Sequence, residues 1–274
     1  MKTAFVLSGG GARGAFQVGA MKAIIEAGIL PDACYGTNLG ALNAGMLAFQ
    51  SIFTIETFWR SIRNAGDIFS GQGLGIFSQG GFYSSDPLRK IIEKYVEGTP
   101  TREAMACVCD LYTGSKEYAY RSKLALTDFQ QYVLASASIP VAVNPVADRY
   151  VDGGVREETP LKPAIDDGAD RIIVFLTSPY VVNPTPETSI NSPKLLNNGL
   201  RALSMLEHQI FLNDIATCLM KNDLPQCKPI ELLVISPDTF LYDAMDFDPK
   251  VIGPAIDAGF QQGQFLLAGS GMKT

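Results

Sequence analysis

Ala33-Cys34-Tyr35-Gly36-Thr37-Asn38-Leu39-Gly40-Ala41-Leu42 is the stretch that decides how this chain is read. A short apolar run enters a five-residue turn, Gly36 to Gly40, and an alanine- and leucine-rich run leaves it toward Phe49. That order is strand, sharp turn, helix. The frame is that of a nucleophile elbow, Gly-x-Ser-x-Gly, in which the turn lifts a serine hydroxyl out of the fold. Here the centre is Asn38, and a carboxamide has no hydroxyl to deprotonate. A plain strand-to-helix turn is the other reading, because asparagine tolerates strained turn conformations.

Working outward, strand-like and helix-like segments alternate, which predicts an α/β sheet. Ala4–Ser8 reads as a first buried strand ending in Gly9-Gly10-Gly11, and Arg13–Ala27 as a helix stopped by Gly28. Helices are predicted over Leu39–Phe49, Ile52–Arg60, Ser85 to about Val96, Asp128–Ser136, Pro160–Asp167, Lys194–Lys221 and Pro249–Leu267. Ala104–Tyr112 and Lys116–Arg121 read as a hairpin around Gly114-Ser115. Arg149–Val151, Arg171–Leu176 and Ile230–Ile235 read as strands. Asn64–Tyr83 interleaves glycines with Ile68, Phe69, Leu74, Ile76, Phe77, Phe82 and Tyr83. Both a surface loop tucked onto the core and an apolar flap over a greasy substrate fit it.

Composition excludes several classes. Of 274 residues, 47% are hydrophobic and only 18% charged, with a formal net charge of −6. A nucleic-acid partner would want a basic stripe, so none is expected. A transient contact with a membrane surface stays open. The five cysteines, Cys34, Cys107, Cys109, Cys218 and Cys227, are odd in number and scattered, unlike a disulfide framework. With one histidine and no second paired-cysteine knuckle, no zinc site is expected. A reducing cytoplasm fits this usage. No apolar run reaches 18 residues, so no transmembrane segment is expected. The apolar start at Met1–Leu7 stops too soon for a signal peptide.

Three glycine-bearing turns each follow a short strand, and in open α/β sheets sites gather at strand carboxyl ends. The first, Gly9-Gly10-Gly11-Ala12-Arg13-Gly14, formally contains the dinucleotide pattern Gly-x-Gly-x-x-Gly. Asp32, however, precedes the second strand instead of ending it. The alternative is an oxyanion hole, since glycine amides at a helix N-terminus point N–H groups at developing negative charge. Arg13 would add a positive charge. A tight turn needing positive φ is the plain reading. The second turn is the one around Asn38. The third, Asp152-Gly153-Gly154, offers either a general base at a strand end or an Asx-type turn. His208, the sole histidine, falls within the long helix Lys194–Lys221 and far from all three turns. A Ser-His-Asp triad is therefore not expected.

Taken together, Gly9–Gly14, Gly36-Thr37-Asn38-Leu39-Gly40-Ala41-Leu42-Asn43-Ala44, Ala135-Ser136-Ala137-Ser138-Ile139-Pro140 and Asp152-Gly153-Gly154 resemble the patatin-like phospholipase family in order and spacing. The resemblance covers about residues 4–176, and the elements over 177–274 are less diagnostic. It implies a single domain over 1–274, a three-layer α/β/α sandwich with a mainly parallel central sheet. It also implies a lipid acyl hydrolase with a Ser-Asp dyad and no cofactor or metal. Residue by residue, Gly10, Gly11 and Ala12 fall where that family has its oxyanion-hole amides. Arg13 matches its basic residue and Asp152 its general base. Gly9, Gly14, Gly36, Gly40, Gly153 and Gly154 match the supporting glycines. Position 38 is the nucleophile position, where the family has serine.

In the serine form Asp152 would take the hydroxyl proton, the serine would attack an ester carbonyl, and water would cleave the acyl-enzyme. Losing a nucleophile costs on the order of 10⁶-fold in kcat, so the chain as written is expected to be close to inactive as an esterase. Two histories fit, an inactivated form of an active hydrolase and a natural non-catalytic relative that binds a lipid or a partner. Thr37 is not expected to substitute, because its side chain should point away from Asp152.

Overall fold

The computed structural model describes residues 1–71, 81–180, 195–224 and 228–272, with the backbone alone at 195–204, 207, 208, 211 and 214. Residues 72–80 of the glycine-rich stretch Asn64–Tyr83, most of the proline-rich loop before the long helix, Cys227 and the His208 side chain lie outside the described residues.

Five parallel strands make the body of the main sheet. They are β1 (Thr3–Leu7), β2 (Ala33–Thr37), β5 (Glu103–Asp110), β9 (Arg171–Phe175) and β10 (Glu231–Ile235), in the spatial order β10-β9-β1-β2-β5. On β5, β6 (Lys116–Tyr120) and β8 (Tyr150–Asp152) pair antiparallel. β1 lies at the centre, where an apolar strand with both faces covered belongs. Its residues alternate between two cores. Phe5 and Leu7 enter the core with helices α1 (Gly14–Glu26), α2 (Leu39–Phe49), α3 (Ile52–Ser61) and, beyond them, the C-terminal helix. Ala4 and Val6 enter the opposite core with Leu161, Ala164, Ile215 and Cys218. The result is three layers, helices on both faces of a mainly parallel sheet, as the sequence predicts.

The remaining helices are α4 (Asp86–Tyr95), α5 (Leu126–Ser136), α6 (Leu161–Asp166), α7 (Leu195–Asn222) and α8 (Pro249–Ser270). Their ends differ from the sequence expectations by a few residues. α1 begins at Gly14, because Gly11–Arg13 form a tighter 3-10 turn first. One feature the sequence reading misses is a small second sheet of β3 (Ser70–Gly71), β4 (Gly81–Ser84) and β7 (Val141–Val143). The glycine-rich stretch Asn64–Tyr83 thus opens on a 3-10 turn (Ala65–Asp67), contains the short β3 and ends in β4. Gly81 is in parallel register with Val141, far along the chain, and such non-local pairing leaves no short-range pattern in sequence.

The register brings the three turns to one edge. Leu7 at the end of β1 is opposite Gly36, and Thr37 at the end of β2 is opposite Cys107 on β5. One residue further along β5, Val108 is opposite Asp152. β8 therefore takes up the side of β5 that β2 vacates, and Asp152 arrives beside the Gly36–Gly40 turn.

Candidate active site

The elbow is built as its glycines imply. Asn38 sits at φ 57° and ψ −136°, immediately before α2. A non-glycine residue at positive φ is uncommon, and asparagine is among the few that enter it readily. A Cβ at Gly36 would press into the Gly40 carbonyl, and one at Gly40 into the Ser8 carbonyl. Both glycines are therefore fixed by close backbone approach. The Asn38 amide donates to Ser136 Oγ at 2.9 Å, and Ser136 Oγ donates to the Cys107 carbonyl at 2.6 Å. A fully buried hydroxyl thus ties the strained turn to β5.

Asn38, only 4% exposed, connects the other two turns through its side chain. Its Oδ1 accepts from the Gly11 amide at 2.9 Å, and its Nδ2 donates to Asp152 Oδ2 at 2.5 Å. Asp152 is held in turn. Its Oδ1 accepts from the Gly154 amide at 2.8 Å, and its own amide donates to the Ser138 carbonyl. Asp152 therefore makes the Asx-type turn contact with one carboxylate oxygen and meets Asn38 with the other.

The first turn leaves β1 through Gly10 at φ 143° and Gly11 at φ 59°. Thr177 Oγ1 donates to the Gly9 carbonyl, and the Gly9 amide donates to the Glu158 carbonyl. The Gly10 amide has no hydrogen-bond partner among the described residues. Ala12 departs from expectation, because its amide donates to the Ala244 carbonyl at 2.7 Å and so is not presented to Asn38. Arg13 is buried instead of reaching into the site. Its Nε donates to the Gly10 carbonyl, its Nη1 donates to Ser178 Oγ at 3.0 Å, and its guanidinium lies over the Phe240 ring.

Other nucleophiles near Asp152 are disfavoured by their surroundings. Thr37 Oγ1 donates to the Glu157 carbonyl at 3.0 Å, away from Asp152. Burial pushes the Cys109 thiol up to about 12 and raises Cys107 well above the ordinary thiol range, with the Glu157 charge adding to the latter. A thiol held protonated is a poor nucleophile.

A second buried network joins the helices that follow the first two turns. Gln17 Nε2 donates to the Ser8 and Phe175 carbonyls. Asn43 Nδ2 donates to Gln17 Oε1 and to the Gly14 carbonyl, and Trp59 Nε1 donates to Asn43 Oδ1. In the sequence reading Gln17, Asn43 and Trp59 have no individual role. Polar residues in a run as apolar as α2 were the available signal, because a buried amide needs partners.

A three-layer α/β fold with its turns gathered at the strand carboxyl ends places the chain in the class whose sites are built there. The patatin-like phospholipase family matches residues 5–165, more than half of the 274-residue chain, and the chain belongs to that family. It is similar to a stretch of the lysophospholipase nte1 of Aspergillus terreus, 56% identical over 61 residues, which is 22% of this chain and 4% of that protein. With the lysophospholipase NTE1 of Cryptococcus neoformans it is 26% identical over 185 residues, 62% of this chain and 11% of that protein. The chain thus spans only a small part of the length of these curated relatives. Among solved structures, VipD from Legionella pneumophila aligns with 98% of this chain and 67% of its own at 14% identity and a TM-score of 0.49. The type III effector ExoU aligns with 99% and 54% at 12% identity and a TM-score of 0.46. Among the described residues no helix is long and apolar enough to cross a membrane.

Proposed function

We propose that the three turns form a lipid acyl hydrolase site whose nucleophile position is occupied by Asn38. Asp152 is its general base and the Gly10 and Gly11 amides are its oxyanion donors. Ala12 is left out of that set because Ala244 holds its amide. The observation that carries the reading is the Asn38 carboxamide, which lies between the Gly11 amide and Asp152 on an elbow turned to positive φ. A serine at this position would start between an acceptor for its proton and a donor for the oxyanion. No metal or cofactor is needed, since base and anion stabilisation come from the chain itself.

As written, the chain has the surroundings of the reaction without its nucleophile. We assign it near-zero esterase activity and place it in the cytoplasm, with an acyl ester or lipid as its ligand and a transient membrane-surface contact. The fungal relatives are named lysophospholipases, so lysophospholipids are the first substrates to try. The test is hydrolysis of p-nitrophenyl esters and lysophospholipid by the chain and by Asn38→Ser. Activity in the serine form alone supports the reading, and silence in both overturns it.

One observation favours a second reading, a non-catalytic lipid-binding or interaction module. The carboxamide satisfies the Gly11 amide and donates to Asp152 within the protein, a closed arrangement stable without turnover. A fatty-acid or lysophospholipid titration of the unmodified chain, followed by melting temperature, distinguishes it. Dinucleotide binding is not expected, and NAD(H) should produce no shift.

A further inference from the structure

The family match ends at residue 165, yet a segment more than seventy residues further on grips the amide turn. The segment is the strap Asp238–Phe247, between β10 and α8. Three alternate strap residues meet three consecutive turn residues. Phe240 stacks on the Arg13 guanidinium, with the ring centroid 5.5 Å away. Tyr242 Oη donates to the Ala12 carbonyl at 3.0 Å. The Ala244 carbonyl accepts from the Ala12 amide at 2.7 Å and also abuts the Gly11 Cα, leaving no room for a Cβ there. Both polar groups of the Ala12 backbone are therefore held by the strap.

The strap itself is anchored. Phe247 is fully buried in the core that contains Ala12 and Phe16, and its ring meets Phe69 edge-on at 6.3 Å. Asp243 accepts from the Met245 amide, and Asp248 accepts from the Lys250 amide to cap α8. Ile256 of α8 is buried in the same core as Phe16 and Met21 of α1.

We propose that Tyr242 is a positioning residue that, with the Ala244 carbonyl, fixes the Gly10–Ala12 backbone so that the Gly11 amide stays aimed at the side chain of residue 38 and the Gly10 amide stays in place beside it. The strap does this by holding the next peptide on both sides. An oxyanion hole works through donors that need not reorganise during the reaction, and glycines at φ 143° and 59° do not hold themselves there, because glycine has many alternatives. Burial raises the Tyr242 phenol above its ordinary range, so it is a standing donor at neutral pH.

The kinetic part rests on the hydrolase reading, and the structural part does not. Tyr242→Phe removes one oxygen and keeps the ring. In the unmodified chain, hydrogen exchange at the Ala12 amide should be slow, and Tyr242→Phe should speed it about fivefold or more, the effect of losing one hydrogen bond. In the Asn38→Ser chain, Tyr242→Phe should lower kcat about five- to tenfold with KM within about twofold, since misaimed donors weaken only the transition state. A merely structural tyrosine would move the melting temperature and leave that split untouched. If Asn38→Ser hydrolyses esters and Tyr242→Phe leaves its kcat unchanged, the proposal fails. If Asn38→Ser is inert, the hydrolase reading fails, and unchanged Ala12 exchange then overturns the clamp by itself.

Discussion

Asn38 Nδ2 lies 2.5 Å from Asp152 Oδ2, a contact between residues 114 positions apart that β5 brings together by pairing with both of their strands. The same carboxamide accepts from Gly11. One side chain thus spans the distance between the Gly11 amide and the Asp152 carboxylate.

In the Asn38→Ser chain the base should be indispensable. Asp152→Asn in that background is expected to lower kcat by about 10²–10⁴-fold, the usual worth of a general base, with circular dichroism unchanged. Equal activity with and without the carboxylate would remove Asp152 from the mechanism.

Asn38 is also a structural tie. Asn38→Ala deletes both of its side-chain hydrogen bonds in a buried site and puts alanine at positive φ. A loss of about 1–3 kcal/mol is expected, read from urea unfolding. A variant as stable as the parent would mean that the bridge contributes nothing to folding.

Ser136 anchors the elbow from below. Ser136→Ala leaves the Asn38 amide and the Cys107 carbonyl without this hydroxyl in a fully buried place. About 1–3 kcal/mol of destabilisation should follow, and in the Asn38→Ser background kcat should fall more than KM rises. Ser136→Thr, which keeps the hydroxyl, should restore kcat at least in part.

Gly11→Ala should disturb two parts at once. The new methyl group meets the Ala244 carbonyl, and φ 59° is unfavourable for alanine. Destabilisation of at least about 1 kcal/mol is expected, with faster hydrogen exchange at Ala12. Wild-type exchange there would show that Ala244 is not held against the turn.

Acid should act through a pair at the carboxyl end of β5, two residues past the one opposite Asp152. Arg149 donates to Asp110 at 2.7 Å and, chiefly through that bond, holds its carboxyl down at about 2 from an ordinary 3.8. A carboxyl depressed on folding stabilises above its unfolded value, and this contribution is lost as pH falls toward the folded one. Arg149→Ala should therefore melt below the parent near neutral pH, and the gap should close between about pH 4 and pH 2. A gap that stays constant over that range would count against the pair.

Much of the site was legible because its parts are local. Gly36 and Gly40 announce a strained turn, the run Gly9–Gly11 announces a second tight turn ahead of a helix, and Asp152 stands before two glycines at a strand end. Each is a short pattern dictated by backbone sterics. The partner of the Ala12 amide is not legible in this way, because the carbonyl that takes it belongs to Ala244, and nothing in the sequence near either residue records that encounter. The partners of Ser136, Gln17, Asn43 and Trp59 are not legible for the same reason, since a buried polar residue shows in sequence only as an interruption of an apolar run and is explained by partners on other elements.

The sequence by itself determined the alternation of strands and helices, the three turns and the absent hydroxyl at position 38, all of which follow from local periodicity and from what glycine and asparagine permit at a backbone position. Only the tertiary structure decided what Asn38 touches, which amides remain to face it, and that a strap near the C-terminus grips the first turn. Those facts depend on strand register and on chain segments meeting across the sheet edge, where hydrogen bonds form between residues whose separation in sequence carries no signal.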